Sequence, residues 1–257
     1  MAFTLYNAPQ STCSQRVRFV LNAKSLPFAE VKLNLLEGDQ LKPDYLKLNP
    51  NGVVPTLDHD GNIVIDSSVI VEYLDEVAPE GESFTPHDPV ARAHMRALMH
   101  FIDEMPAAAI RVPTFNLAFL PHFSKMSEQE FVAFAESKPL RKEFMLAMGR
   151  NGFPESEMKA ALDRLGRTLD RMNAEIEKSG GPWLLGAKPT LADICVMPTI
   201  VRMADLGLDN MWADKPPIVR WHELIRAHKA YAPTYYFGSL LTERFPHLRD
   251  RKQAIQK

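Results

Sequence analysis

Cysteine is scarce. Cys13 and Cys195 are the only two among 257 residues, and neither belongs to a Cys-x-x-Cys pair. This excludes a disulfide framework and a dithiol redox motif. No run approaches the 18 apolar residues of a membrane-spanning helix, and the opening residues lack the positive flank and apolar core of a secretory signal. A cytoplasmic protein is therefore expected. An excess of one charge is also missing: 30 Lys and Arg face 32 Asp and Glu, a net charge of −2. No broad basic face for nucleic acid is available, although a locally basic pocket remains compatible with the balance. The eight histidines form no His-x-x-x-His or His-Glu-x-x-His pattern, so no metal site is expected, and the glycines form no nucleotide-binding motif.

What is present reads as a folded chain of one large domain or two small ones, with 46% hydrophobic and 24% charged residues. Residues 3–7 are β-prone and end in the turn and cap residues Ala8-Pro9-Gln10-Ser11-Thr12. A helix should follow, with Val17, Val20 and Leu21 on an apolar stripe, Lys24 snorkelling at its edge, and Arg16 and Arg18 facing elsewhere. Residues 28–33 alternate like a strand. Asn49-Pro50-Asn51-Gly52 is a dense turn signal before a β run at 53–57, where Pro55 must sit at a start or edge. Residues 58–62 read as a hairpin turn and 63–65 as its return strand. Asp66-Ser67-Ser68 caps a helix carrying Ile70, Val71, Leu74 and Val77. The expected order is βαβ, an irregular segment, then ββα.

The polar, proline-rich residues 78–86 break this pattern, so we expect an α/β domain over 1–80 and an all-α domain over 88–257. Met158, Leu162, Leu165, Leu169, Met172 and Ile176 keep one face of a long helix apolar. Thr190-Leu191-Ala192-Asp193 reads as a capping box, and Pro198 should kink or shorten the helix it opens. Ile218, Trp221, Leu224, Ile225 and His228 form another stripe, and the polar tail 249–257 should fray.

Three features are suited to chemistry. Ser11-Thr12-Cys13-Ser14 lies where free N–H groups and the helix dipole favour an anion such as a thiolate. At Asp66-Ser67-Ser68, a helix start with a serine hydroxyl suits a carboxylate, and Asp66 suits an ammonium, together the head group of an amino acid. A cis bond at Val54-Pro55 would turn the N–H and C=O of Val54 outward to pair with an extended peptide.

These features, with the segments 11–18 and 48–57, Asp66-Ser67-Ser68 and Thr190-Leu191-Ala192-Asp193, resemble the cytosolic glutathione transferases over residues 3 to 230. The resemblance implies a thioredoxin-like α/β N-terminal domain, an all-α C-terminal domain, a homodimer and glutathione as co-substrate. Within the second domain, Asp88-Pro89 before Arg92-Ala93, the segment 126–131 and Arg150-Asn151-Gly152-Phe153-Pro154 are similar to the bacterial β-etherases. That branch uses glutathione to cleave β-aryl ethers of lignin-derived ketones.

By this resemblance Ser67 would hold the γ-glutamyl carboxylate and Asp66 the ammonium. Val54 would pair with the cysteinyl backbone beside cis-Pro55, and Gln40 would reach the glycyl end, with Lys42 adding charge there. The thiol-activating residue can be matched three ways. Ser11 matches the zeta-like serine and the omega-like cysteine position, Cys13 the beta-class cysteine, and Ser14 the β-etherase serine, whose preceding asparagine is Cys13 in this chain. A serine hydroxyl would donate to the thiolate and lower its pKa, whereas Cys13 would form a mixed disulfide with glutathione. For the aromatic electrophile the candidates are Met105, Phe115, Asn116, Phe119, Phe144, Met148 and Arg150. The rival readings are a general conjugating transferase, a Cys13-dependent thiol oxidoreductase, and a non-catalytic protein that keeps the fold to bind a partner.

Overall fold

The structure, a computed structural model, describes the backbone of residues 2–255 and the side chains up to residue 250. Its first part contains β1 (Phe3–Asn7), α1 (Thr12–Ala23), β2 (Phe28–Lys32), α2 (Pro43–Leu48), β3 (Thr56–His59), β4 (Asn62–Ile65) and α3 (Ser67–Val77). Strand β1 pairs parallel with β2 and antiparallel with β3, and β3 pairs antiparallel with β4, giving the order β2-β1-β3-β4. This is a thioredoxin-like α/β unit.

The third strand starts later than its sequence suggests. Gly52 takes φ +59° and the Val54–Pro55 peptide is cis, so residues 53–55 leave the ladder and pairing begins at Thr56. Pro55 has no N–H to contribute there. The hairpin turn is correspondingly tight. Asp60 and Gly61 both have positive φ, +51° and +87°, the geometry that suits the twist of a two-residue hairpin.

Helix α1 departs furthest from a surface reading. Arg16, Arg18 and Lys24 are all buried, because α1 is packed on several sides by helices from elsewhere in the chain. Each cation therefore finds fixed oxygen partners in place of water. Lys24 Nζ lies 2.8 Å from Asp75 Oδ1 and donates to the Ala78 carbonyl at 2.8 Å, so it does not snorkel. Arg18 donates to Asn7 Oδ1 at 2.6 Å and to the Pro9 carbonyl at 2.7 Å.

Residues 78–88 hold no helix or strand. The helical part follows as α4 (Pro89–Glu104), α5 (Pro106–Ala109), α6 (Arg111–Thr114), a π-helical turn at Phe115–Phe119, α7 (Leu120–Phe123), α8 (Glu128–Glu136), α9 (Lys142–Met148) and α10 (Glu155–Ser179). It continues with α11 (Leu191–Asp205), α12 (Pro216–Ala227), α13 (Tyr231–Thr234), α14 (Leu241–Arg244) and α15 (Pro246–Ile255).

Asp193 accepts from the Thr190 N–H at 2.8 Å, as the capping box requires, and also from Trp221 Nε1 at 2.8 Å. Helix α11 runs on through Pro198, because nearly all its residues are buried and neighbouring helices hold it on every side. The tail expected to fray is helical through Ile255: Leu248 is buried, and His247 Nε2 lies 2.8 Å from the Leu117 carbonyl oxygen. The last part of that expectation, residues 256 and 257, lies outside the described residues.

One continuous core joins the two parts, running from Leu5, Val20 and Leu74 through Met95 and Leu165 to Ile194 and Trp221. A second, smaller core gathers Phe123, Phe131, Met145 and Met148. Between the N-terminal end of α1 and this smaller core lies a cavity.

Candidate active site

The cavity has a volume of about 210 Å³. From the α/β part it is lined by Ser11, Thr12 and Cys13 at the start of α1, by Gln40, and by Val53 and Val54. The opposite wall is aromatic, built from Phe115, Phe119, Phe123, Phe134 and Phe144. Phe115 sits at the hub of that wall, with ring centroids 5.1 Å from both Phe119 and Phe144 in edge-to-face contact.

Ser11 is the N-cap of α1. Its Oγ accepts from the Ser14 N–H at 3.2 Å, which leaves its own hydroxyl proton free to donate into the cavity. Cys13 is partly exposed and lines the same space. Ser14 does not: it is fully buried, and its Oγ accepts from the Ala8 N–H. The turn is held by Arg202, which also lines the cavity and donates to the Gln10 carbonyl.

Val54 lines the cavity, and none of the described residues hydrogen-bonds its N–H or C=O. Gln40 is buried in a 3₁₀ turn, Asp39–Leu41. Lys42, expected nearby, instead points its 70%-exposed side chain outward and pairs with Asp39 at 2.7 Å.

Asp66 and Ser67 stand at the start of α3, outside the residues that line the cavity. Asp66 has φ +74°, a conformation L-residues rarely adopt and one that recurs at ligand clamps. Its Oδ1 accepts from the N–H groups of Ser68 and Val69, leaving Oδ2 for a further donor. Behind them Arg16 joins the stations: Nη1 reaches Ser67 Oγ at 3.2 Å, Ser68 Oγ at 3.1 Å and Asp103 Oδ1 at 2.5 Å.

The aromatic candidates divide. Phe115, Phe119 and Phe144 face the cavity, whereas Met105, Asn116, Met148 and Arg150 do not line it. Asn116 is engaged with the Phe153 backbone, Met148 belongs to the small core, and Arg150 donates to the Met126 carbonyl at 2.7 Å. These three support the wall from behind, and Met105 lies at the junction of α4 and α5.

The sequence reading missed the cations. Arg111, Lys138 and Arg141 line the cavity, no acidic residue does, and none of their side chains has an ion-pair partner among the described residues. Burial, reinforced by the charge of Arg141, pushes Arg111 down to about 10, and burial likewise lowers Arg141. Cys13 interacts electrostatically with both guanidinium groups. Both remain cations at neutral pH, so this end of the cavity is prepared for negative charge. No local spacing marks these residues, since each looks like an ordinary surface cation in the sequence. The neighbouring thiol Cys195 is fully buried and pushed up to about 12 by burial, which makes it inert.

Comparison with known proteins agrees with this geometry. Residues 5–82 match the glutathione S-transferase N-terminal domain and residues 155–250 the C-terminal domain. The chain is 31% identical to Protein LigF of Sphingobium sp. over 198 residues, covering 76% of each chain. It is 30% identical to the zeta-class glutathione S-transferase of Euphorbia esula over 243 residues, covering 94% of this chain and 91% of that one. The crystal structure of beta-etherase LigF from Sphingobium sp. strain SYK-6 superposes with a TM-score of 0.82 at 28% identity, over 91% of this chain and 99% of that one. With a thioredoxin-like unit, a helical unit and a cavity lined by both, this chain belongs to the glutathione S-transferase family, enzymes that use glutathione as co-substrate.

Proposed function

We propose that this protein is a glutathione-dependent β-etherase acting on lignin-type aryl ether ketones. Residues 1–80 supply the glutathione site and 88–257 the electrophile site. The observation that carries the reading is a single cavity in which the Ser11–Cys13 turn faces five phenylalanine rings and the Arg111–Arg141 pair. The similarity to LigF, which its structure describes as a beta-etherase, points the same way.

In this mechanism the γ-glutamyl head group rests on Ser67 and Asp66 at the start of α3, and the cysteinyl backbone pairs with the free N–H and C=O of Val54. The thiol proton leaves to solvent, and the Ser11 hydroxyl donates to the thiolate and holds it ionised. The sulfur then attacks the β-carbon beside the ketone. A C–S bond forms, the C–O bond breaks, and the electron pair departs on a phenoxide. Arg111 and Arg141 stabilise that developing charge in a water-poor site, where fixed charges act most strongly. The phenylalanine wall orients the two aromatic rings.

A second reading has its own observation: Cys13 is the partly exposed thiol of the cavity, beside two cations, as a thiol transferase would require. We also read the protein as a cytoplasmic homodimer. Among the described residues no helix is long and apolar enough to cross a membrane, and Val69 and Val90 leave apolar surface near the starts of α3 and α4.

The deciding experiment incubates the protein with glutathione and a racemic β-aryl ether ketone, following phenol release and the glutathione thioether on a chiral column. Release that stops near half conversion supports a stereospecific etherase. Glutathione binding with no phenol release would sink this reading and favour Cys13 chemistry.

A further inference from the structure

Two residues that line the cavity each hold a buried polar atom without a partner, and the chemistries of these atoms are complementary. Lys138 Nζ and Gln40 Oε1 are shielded from solvent, and neither has a hydrogen-bond partner among the described residues. Lys138, just beyond the end of α8, is only 7% exposed. Its ammonium lies 3.8 Å from the centroid of the Phe134 ring, a contact that stabilises the charge but satisfies none of its three N–H donors. Gln40 uses its amide nitrogen to donate to the Leu35 carbonyl at 3.4 Å, which leaves its oxygen as the unused acceptor. A buried cation and a buried amide oxygen left unpaired both cost free energy, and a ligand that pairs them removes that cost.

Their placement is specific. A Cβ on Gly52 would sit 3.0 Å from Pro139 Cδ and 3.1 Å from Leu41 Cδ2, so the residues that follow Lys138 and Gln40 close on the same glycine, two positions before Val54. Lys138 also stands apart from the two arginines. Its ammonium rests on the Phe134 ring and the next residue, Pro139, closes on Gly52, whereas Arg111 interacts with Arg141, Arg16 and Cys13. The cavity thus has one cationic station beside the thiol position and another beside the Val54 segment.

A peptide C-terminus carries an amide N–H close to a carboxylate, the complement of this pair. We propose that the helical part completes the glutathione site through Lys138, which holds the glycyl carboxylate while Gln40 Oε1 accepts the glycyl N–H, so that the enzyme selects the tripeptide over its dipeptide precursor. The proposal rests on the glutathione reading above and adds a selectivity residue to it. It also gives the exposed Lys42 no part in binding.

The test measures binding by calorimetry for glutathione, its glycyl amide and γ-glutamylcysteine, with wild-type protein and Lys138→Met. Wild type should bind glutathione about 10- to 100-fold more tightly than either analogue, the range for a hydrogen bond to a charged group. The variant should bind glutathione and its glycyl amide alike, losing the preference between them. Equal affinities in wild type overturn the assignment, and this comparison stands even if the variant fails to fold. So does a variant that keeps the preference, or one whose only change is a raised KM for the ether, which would place an anionic group of the electrophile at Lys138. If no thiol binds the wild type, the glutathione reading itself falls.

Discussion

Asn116 grips the backbone of Phe153 at both ends: its Oδ1 accepts from the Phe153 N–H at 2.8 Å, and its Nδ2 donates to the Phe153 carbonyl at 2.9 Å. The link spans the π-helical turn and the loop before α10. Phe153 in turn packs on Phe144, with ring centroids 5.0 Å apart, so the clamp holds the aromatic wall in place without touching a ligand. Gly152 is part of the same joint, because a Cβ there would meet Asn116 Oδ1 at 2.9 Å.

Asn116→Ala should therefore loosen the wall. Loss of both bonds should destabilise the protein by about 1–3 kcal/mol, read from urea unfolding midpoints at constant m. KM for the aryl ether should rise while glutathione affinity holds. A variant with wild-type stability and wild-type KM would show that the clamp is dispensable.

The two cavity-facing residues of the first turn should separate cleanly. Ser11→Ala removes both the cap and the thiolate donor, so stability should fall by about 1 kcal/mol and phenol release by about 100-fold. Cys13→Ser should keep release within a few-fold of wild type, with the thiolate absorbance of bound glutathione unchanged. The opposite pattern would transfer the role to Cys13.

Arg111→Met and Arg141→Met probe the leaving group. Each should lower kcat by about 100-fold, because a preorganised cation no longer meets the developing phenoxide. The loss should shrink for ethers of acidic nitrophenols, which leave without help. A loss independent of the phenol would assign the arginines to another step.

Lys138 makes stability depend on pH in an unusual direction. Burial pushes its pKa down to about 8, whereas in the unfolded chain a lysine titrates near ~10.4. Between these values the unfolded state binds more protons, so the contribution of Lys138 to stability rises with pH; below pH 8 its full cost is felt. Lys138→Met should accordingly stabilise the ligand-free protein at neutral pH by about 1–3 kcal/mol. Its advantage over wild type should diminish when both are unfolded at pH 10. A constant difference across that range would show that burial does not lower the Lys138 pKa in the fold.

Much of the glutathione half was legible because it depends on local rules. Cap residues, a turn-rich segment and a proline that cannot donate to a ladder placed Ser11, Val54, Asp66 and Ser67 on their elements from sequence. The cap at Thr190 and the long stripe of α10 were legible for the same reason. Pro198 does not end α11, because the local penalty of a helix proline is outweighed by packing around that helix. The burial of Arg16, Arg18 and Lys24 was not legible, and Lys24 does not snorkel as expected, because nothing within α1 reveals how many other helices enclose it.

The aromatic wall of the cavity was decided by tertiary structure. Phe115, Asn116, Phe144 and Met148 look alike as candidates, yet only the packing of the small core against α1 turns two of them into the cavity and the others behind it. Arg111, Lys138 and Arg141 show the point most clearly. As a sequence, the chain determines its helix caps, turns and apolar stripes, since these rest on interactions between residues a few positions apart. Which cations lose their water and face an apolar cavity depends on segments more than a hundred residues apart, and only the folded chain, by removing solvent from one face of each, makes that choice.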